Sequence, residues 1–145
     1  MNIKIKRFSE LTTIELYEIL KIRSEIFVVE QNCVYQDLDD LDKKCIHIWI
    51  EEENQVQAYL RYFEKKKDIV QIGRVLTKIH GKNLGRKLVE KAIEEIKKNS
   101  TAKKIYLEAQ TYALGFYHKF GFQEYGKEFL EDNIPHKKME LDLTK

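Results

Sequence analysis

A turn of glycine and basic residues lies between a strand-like segment and a helical one, in an order that suits phosphate binding. Gly81 permits a positive φ, and Asn83 belongs to the next most tolerant residue type. Such a turn can direct several backbone N–H groups outward at a helix N-terminus, where the helix dipole favours an anion. The basic side chains nearby are Lys82, Arg86 and Lys87. An ordinary tight strand-to-helix connection has the same composition, so this turn alone leaves both interpretations open.

Two other phosphate-binding patterns are absent from the turn. It lacks the GxxxxGK(S/T) spacing of a P-loop. It also lacks a full GxGxxG, and it follows a predicted β-meander in the middle of the chain, whereas a dinucleotide-binding turn opens an early βαβ unit. The P-loop and dinucleotide-binding interpretations are therefore set aside.

A second segment, residues 107–122, joins the end of a strand to a short helix that carries Phe116 and Tyr117, and then to a Gly-Phe pair. Together the two segments resemble the GNAT superfamily of acyl-CoA N-acyltransferases. The turn at 80–86 resembles the Q/R-x-x-G-x-G/A pyrophosphate element of that family. Residues 110–122 resemble its N-x-x-A-x-x-L/F-Y-x-x-x-G-F element, and the spacing between the two elements fits as well.

Further segments resemble the ElaA-like branch of this superfamily, and with them the resemblance covers nearly the whole chain. These segments are residues 27–32, 35–39, 72–75 and 134–136. The chain departs from the superfamily pattern where His80 replaces Arg or Gln, Asn83 replaces the middle glycine, and Gln110 replaces Asn. The connection at Lys78-Ile79 is also shorter than in many relatives. Because Asn can adopt a left-handed conformation, the backbone cradle is expected to survive the substitution at Asn83.

The resemblance implies an α+β (α/β) fold, with a mixed, mostly antiparallel central sheet flanked by helices. Two parallel strands splay apart in this fold, and here they are residues 69–77 and 103–109. The pantetheine arm of acetyl-CoA would lie in the gap and pair with backbone groups, as an added strand does. A backbone N–H would stabilise the oxyanion of the tetrahedral intermediate. The implied cofactor-binding residues are Val75, Leu76, Thr77, His80, Gly81, Lys82, Asn83, Leu84, Gly85, Arg86, Gln110, Phe116 and Tyr117.

The implied reaction moves an acetyl group from acetyl-CoA to a primary amine of a small molecule or peptide, and it needs an acid and a base. Tyr117 matches the tyrosine of the family and is the implied general acid, although it could simply pack beside Phe116. The candidate bases are Glu108 near the end of the splayed strand, Glu30 after the first helix, and His136, whose imidazole exchanges protons near neutrality. Each could instead be structural: Glu108 as a partner of a lysine, Glu30 as a brace at a helix end, and His136 as a strand-edge residue.

An acidic stretch follows the first helix and suggests a cationic substrate, such as an amine or a basic peptide. Its residues are Asp37, Asp39, Asp40 and Asp42. A solvated loop is the alternative interpretation. An EF-hand is excluded, because the central glycine and a glutamate at the twelfth position from Asp37 are both absent. The histidines show no i, i+4 pair, so no metal site is predicted.

The hydrophobic pattern predicts the order β, α, β, β, β, α, β, α, β, β in one domain, residues 1–145. The predicted strands are 3–8, 45–51, 55–63, 69–77, 103–109, 122–125 and 138–143. The predicted helices are 12–28, 84–99 and 113–120. Because a helix separates strands 69–77 and 103–109, these two are expected to be parallel.

The charge and cysteine content narrow the class of protein. The formal net charge of the 145 residues is only +2, which gives no strong field for nucleic acid or a membrane surface. Cys33 and Cys45 do not match a zinc pattern. No secretory segment and no bilayer-spanning apolar run is visible, so a cytoplasmic protein with reduced cysteines is expected. A free sheet edge could pair two copies into a homodimer.

Two other functions compete with the transferase. One is a module that binds acyl-CoA as a sensor without chemistry, which predicts CoA binding and no transfer to any amine. The other is an RNA-binding α/β domain, suggested by the aromatic residues and lysines. The absence of an RNP-type aromatic motif and the low net charge disfavour RNA binding. Acyl chains longer than acetyl remain open as donors.

Overall fold

Seven strands form one sheet with helices packed against it, in the order that the sequence pattern predicts. The computed structural model describes residues 1–145. The elements are β1 (Asn2–Arg7), α1 (Thr13–Arg23), β2 (Ile46–Glu52), β3 (Gln55–Lys66), β4 (Ile69–Thr77), α2 (Leu84–Asn99), β5 (Lys104–Gln110), α3 (Leu114–His118), β6 (Gln123–Glu131) and β7 (Ile134–Asp142). Across the sheet the strands run β1-β2-β3-β4-β5-β7-β6, and only β4 and β5 are parallel neighbours. The predicted mixed, mostly antiparallel fold is confirmed.

The first helix begins with a capping box and changes its winding partway along the predicted length. The Glu15 amide donates to Thr12 Oγ1 at 3.0 Å, and the Thr12 amide donates to Glu15 Oε1 at 2.9 Å. The α-helical winding ends at Arg23, and residues Ser24–Glu30 continue as a π-helical turn. The change falls directly after Arg23, whose side chain is held by two buried aspartates. None of the helices is long and apolar enough to cross a bilayer.

Strand pairing sorts the side chains of the sheet into two faces, each with its own core. One face packs under α2, which buries the residues that step by four along the sequence: Leu84, Leu88, Ala92 and Ile96. The other face packs under α1 through a smaller cluster of Ile19, Ile22, Trp49, Val56, Tyr59 and Leu76. Full burial of each leucine, isoleucine or valine side chain in these clusters contributes about 1.5–3 kcal/mol. These two cores hold the sheet that positions the site.

The parallel strands β4 and β5 pair only at their first residues and then separate. The paired residues are Ile69 with Lys104, Val70 with Ile105, and Gln71 with Tyr106. Beyond them β4 carries a bulge opposite β3, and Arg74 within it has a φ of 54°. The predicted splayed pair is therefore present, and the backbone edge of β4 that faces β5 has no strand partner from Ile72 onward.

The last hairpin is much longer than predicted. Strands β6 and β7 run over Gln123–Glu131 and Ile134–Asp142, whereas the sequence pattern predicted only 122–125 and 138–143. The turn residues Asp132 and Asn133 both have positive φ, as a tight hairpin turn requires. Because β6 is an edge strand with mostly exposed, polar side chains, it lacks the alternating pattern from which its length could be predicted.

Candidate active site

A cavity of about 1300 Å³ opens where β4 and β5 separate. This volume exceeds the roughly 300–1,000 Å³ of a drug-sized ligand pocket, so it has room for a large cofactor and a second substrate. Its walls come from both strands, the start of α2, helix α3, the π-helical turn and the β6–β7 hairpin. All of the residues predicted to bind the cofactor or to act as acid or base line this cavity, except Lys82, which is exposed on the turn.

One end of the cavity is the turn that starts α2. Gly81 has a φ of 85°, and Asn83 has left-handed φ and ψ of 57° and 22°, as its tolerance for that conformation predicted. The first helical hydrogen bond runs from the Lys87 amide to the Asn83 carbonyl at 3.1 Å. The amides of the three residues before Lys87 therefore have no partner within the helix, and the Asn83 side chain does not cap them. These amides and the dipole of a 16-residue helix fit a diphosphate.

Gly85 is required by the close packing of α2 against α3. A Cβ atom at this position would lie 3.3 Å from Phe116 Cζ and 3.4 Å from Thr77 Cγ2. Any larger side chain must push these neighbours, which belong to the wall of the cavity. The glycine therefore connects the turn, the end of β4 and the aromatic helix.

Tyr117 lies on α3 at the opposite wall of the gap, with its ring buried. Its ring makes edge-to-face contacts with Phe116 at 5.0 Å and with Phe122 at 5.9 Å between centroids. Burial, and to a smaller degree the neighbouring Tyr112, raises the pKa of Tyr117 above its ordinary value. The group is therefore a protonated phenol at neutral pH, which can donate a proton but cannot serve as a base.

The three candidate bases line different walls of the cavity. Glu30 is exposed at the end of the π-helical turn. Glu108 on β5 pairs with no lysine; its Oε2 accepts a 2.7 Å hydrogen bond from the Tyr106 hydroxyl. His136 is buried on β7, an interior strand, so the strand-edge interpretation of this residue is wrong.

The His136 ring has one fixed nitrogen and one free nitrogen. Its Nδ1 lies 2.7 Å from the Ile134 carbonyl. Because a carbonyl can only accept, Nδ1 carries the hydrogen, and Nε2 of the neutral ring is left as an acceptor. This Nε2 lies 3.5 Å from Glu131 Oε2, within ion-pair distance. Phe129 stacks on the ring at 5.8 Å and limits its rotation.

Three of the four aspartates in the acidic stretch, Asp37, Asp39 and Asp42, form ion pairs with arginines inside the protein. For these three, the interpretations as a solvated loop and as a substrate-binding loop are both wrong. The ion pairs form a ring that alternates in sign around a closed path: Arg23, Asp42, Arg61, Asp39, Arg74, Asp37 and back to Arg23. Its hydrogen bonds include Arg23 Nη1 to Asp42 Oδ1 at 2.7 Å and Arg61 Nη1 to the same oxygen at 2.8 Å. Only Asp40 points into solvent.

The charges of the ring hold the carboxylates of Asp39 and Asp42 ionised. Burial alone would raise the pKa of Asp39, but hydrogen bonds from Arg61 outweigh it and lower that pKa to about 2. The pKa of Asp42 is likewise lowered, because hydrogen bonds from Arg23 and Arg61 exceed the effect of burial. The ring therefore fixes the loop to β3 and β4 at neutral pH, and it also supports the bulge at Arg74.

The arginines of the ring and Glu131 were not predicted. Arg23 follows the buried Ile22 on α1, and Arg61 interrupts a run of buried residues on β3. The positions of these two arginines were a signal from which buried ion pairs could have been predicted. A charged residue on a buried stripe needs a partner of opposite sign, and the nearby aspartates are the obvious source. Glu131 gave no such signal, because it lies beyond the predicted end of β6.

No group of three or more His, Cys, Asp or Glu side chains is arranged to hold a metal ion. The two cysteines are free. Cys45 is buried, with its thiol donating to the Leu41 carbonyl at 3.1 Å, and Cys33 lies against the Asp132 carbonyl at 3.3 Å. The groups that the cavity does collect are helix amides, a buried tyrosine and a carboxylate–histidine cluster, which suit acyl transfer from a phosphate-bearing donor.

Comparison with known proteins agrees with this geometry. The pattern that defines the acetyltransferase (GNAT) domain matches residues 20–143. A UPF0039 protein of Schizosaccharomyces pombe is 38% identical over 142 residues, covering 95% of both chains. Protein ElaA of Escherichia coli is 38% identical over 134 residues, covering 88% of both. The crystal structure of an acyl-CoA N-acyltransferase from Pseudomonas aeruginosa has a TM-score of 0.91 at 35% identity, covering 97% of this chain and 99% of that one.

This chain belongs to the GNAT family of acyl-CoA-dependent N-acyltransferases. Within that family it is similar to ElaA, in sequence and in fold. The expected family and branch are confirmed.

Proposed function

We propose that this chain transfers an acetyl group from acetyl-CoA to a primary amine of a small molecule or peptide. One observation carries the proposal. A single cavity joins the unpartnered amides of the α2 N-terminus to Tyr117 and the candidate bases, across the gap between β4 and β5. Acetyl-CoA, when bound, supplies an activated thioester carbonyl. The residues of this chain bind, orient and exchange protons around it.

The donor would be held by backbone at two places. The amides of residues 84–86 and the positive end of α2 favour the diphosphate, with Lys82 and Arg86 at the rim. Arg86 already pairs with Glu90 at 2.9 Å, so it adds less charge than its position suggests. The free edge of β4 at Val75, Leu76 and Thr77 would pair with the pantetheine amides as an added strand. Gln110 and Phe116 close the other wall.

The chemistry would be direct attack by a neutral amine. The amine nitrogen forms a bond to the acyl carbon, and the carbon–sulfur bond breaks as the tetrahedral intermediate collapses. One proton leaves the nitrogen for a base, directly or through water, and the departing thiolate takes a proton from the Tyr117 hydroxyl. Glu108, Glu30 and His136 are the candidate bases, and His136 Nε2 is a free acceptor in the cavity. A β4 amide would stabilise the oxyanion.

We propose one catalytic domain over residues 1–145 that acts in the cytoplasm, where both free cysteines remain reduced. The partners are acyl-CoA and an amine, with no role for nucleic acid or a membrane. A homodimer would form through one of the two sheet edges, β1 or β6.

Amine-dependent release of free thiol from acetyl-CoA tests the proposed activity. Purified protein should release thiol faster with a primary amine than without one, and the amine should gain the mass of one acetyl group. The control is the same amine already N-acetylated, which has no reactive nitrogen and should cause no release. Binding of acetyl-CoA without release for any amine would contradict the transferase and support the sensor. Faster release with octanoyl-CoA than with acetyl-CoA would contradict the choice of acyl chain.

A further inference from the structure

One half of the sheet has a face that no helix covers. Pairing places Tyr106, Glu108 and Gln110 of β5 on the same face as Glu140, Lys138 and His136 of β7, which are their register partners. Phe129 and Glu131 of β6 pair with His136 and Ile134, so they share this face. Helix α1 packs on the same side of the sheet, but its apolar cluster reaches only β2, β3 and β4. Helices α2 and α3 pack on the opposite face.

This uncovered face opens into the cavity and carries negative charge that the protein does not neutralise. Glu108 receives only the neutral Tyr106 hydroxyl, and Glu131 has no partner except the His136 ring. Burial, together with the charge of Glu108, raises the pKa of Glu131 above its ordinary value. Three lysines share the face: Lys104 pairs with Glu140 at 3.3 Å, whereas Lys65 and Lys138 form no ion pair with Glu108 or Glu131. Lys65 instead lies over the Tyr106 ring at 3.7 Å.

An unsatisfied nitrogen lies beside these carboxylates. His136 is only 7% exposed, and its Nδ1 is occupied by the Ile134 carbonyl. Its Nε2 makes no hydrogen bond within the chain, and the residue lines the cavity. An acceptor that faces a cavity in this way can take a hydrogen bond from a ligand. Two carboxylates and one neutral acceptor match the three donors of an ammonium group.

We infer that the acceptor binds on this uncovered face and that it is an amine with a second positive charge, held between Glu131 and Glu108 beside His136 Nε2. The inference rests on the proposed transferase activity and names the class of its acceptor. The second ammonium replaces water at the carboxylates, while the other amino group reaches the gap between β4 and β5. Glu131 acts here through charge and lies outside the set of candidate bases, so its effect depends on the acceptor used.

Three acceptors of matched length test the inference: 1,4-diaminobutane, 1-aminobutane and 4-aminobutanoate. After correction for its two reacting ends, the diamine should show a kcat/KM about tenfold above that of 1-aminobutane, as expected for one charge-assisted contact. The distal carboxylate should make 4-aminobutanoate the poorest of the three. In Glu131→Gln the ratio of kcat/KM for the diamine to kcat/KM for 1-aminobutane should fall toward one, and this ratio is the diagnostic quantity because the substitution also touches His136.

The matched control is Glu128→Gln on the same strand, which removes the same charge outside the cavity. Glu128 accepts only from Thr111 Oγ1, a hydrogen bond that an amide oxygen also accepts. This variant should keep the diamine preference. Acetylation of 1-aminobutane at least as fast as the diamine, or an unchanged preference in Glu131→Gln, would overturn the inference and leave the transferase intact. A protein that binds acetyl-CoA but acetylates none of the three amines would also overturn the inference. Failure to bind acetyl-CoA would remove the proposed function itself.

Discussion

Replacing Tyr117 by phenylalanine should lower kcat about a hundredfold or more, because a positioned proton donor contributes on the order of 10²–10⁴ to the rate. The substitution keeps the buried ring and its contacts with Phe116 and Phe122, and it removes only the hydroxyl. The affinity for acetyl-CoA should therefore change by less than about twofold. Steady-state kinetics with a saturating amine, together with a direct binding measurement, separates the two effects.

Tyr62→Phe is the matched control for this variant. Tyr62 is also buried, is on β3 away from the cavity, and likewise has its pKa raised by burial, to about 12. Its loss of a hydroxyl should leave kcat unchanged. Equal turnover of Tyr117→Phe and the parent protein would remove Tyr117 from the role of acid and leave it as a packing residue.

Asp42→Asn should lower the free energy of unfolding by about 3 kcal/mol or more, because removal of one partner from a buried ion pair leaves uncompensated charge. Asp42 is 6% exposed and accepts from both Arg23 and Arg61 through Oδ1. Without its charge, the three guanidinium groups of the ring, two of them buried, share the two remaining aspartates. Urea unfolding at neutral pH measures the loss.

Asp40→Asn provides the comparison within the same loop. Asp40 is exposed with a φ of 66°, a conformation that asparagine also tolerates. This variant removes one negative charge from the solvated side of the loop and should change stability by less than about 0.5 kcal/mol. Similar unfolding curves for the two variants would show that the ring adds no stability, and the loop would then be held by its apolar contacts.

The spacing of apolar residues predicted those helices that bury one stripe of side chains and those strands whose apolar residues alternate. Helix α2 was predicted over its full length because Leu84, Leu88, Ala92 and Ile96 all face the sheet. Strand β4 was predicted with its observed bounds, because its apolar residues alternate over two packed faces. The intervening helix also predicted the parallel pairing of β4 with β5, since a crossover between parallel strands needs such a connection. The site followed from these elements, as the turn and Tyr117 lie directly beyond their ends.

Features that depend on distant partners could not be read from local pattern. The ion-pair ring joins residues up to 37 positions apart, Asp37 and Arg74, and no periodicity connects them. The length of β6 was missed because an edge strand with polar side chains on both faces has no hydrophobic signal. As a result Glu131 was not predicted, and neither was its proximity to His136. The uncovered face became visible only from the strand register.

Calorimetric titration of acetyl-CoA into the parent protein and into Gly85→Val tests the central claim most directly. The parent protein should bind one acetyl-CoA per chain. Gly85→Val should bind about tenfold more weakly or worse, because overpacking against Phe116 and Thr77 costs on the order of 1–3 kcal/mol in the wall of the donor site. Gly115→Ala, where an added Cβ meets no atom within 4 Å, should bind as the parent does. A folded parent protein that shows no binding at millimolar acetyl-CoA would contradict the account, and equal affinity of a folded Gly85→Val would move the donor away from the gap between β4 and β5.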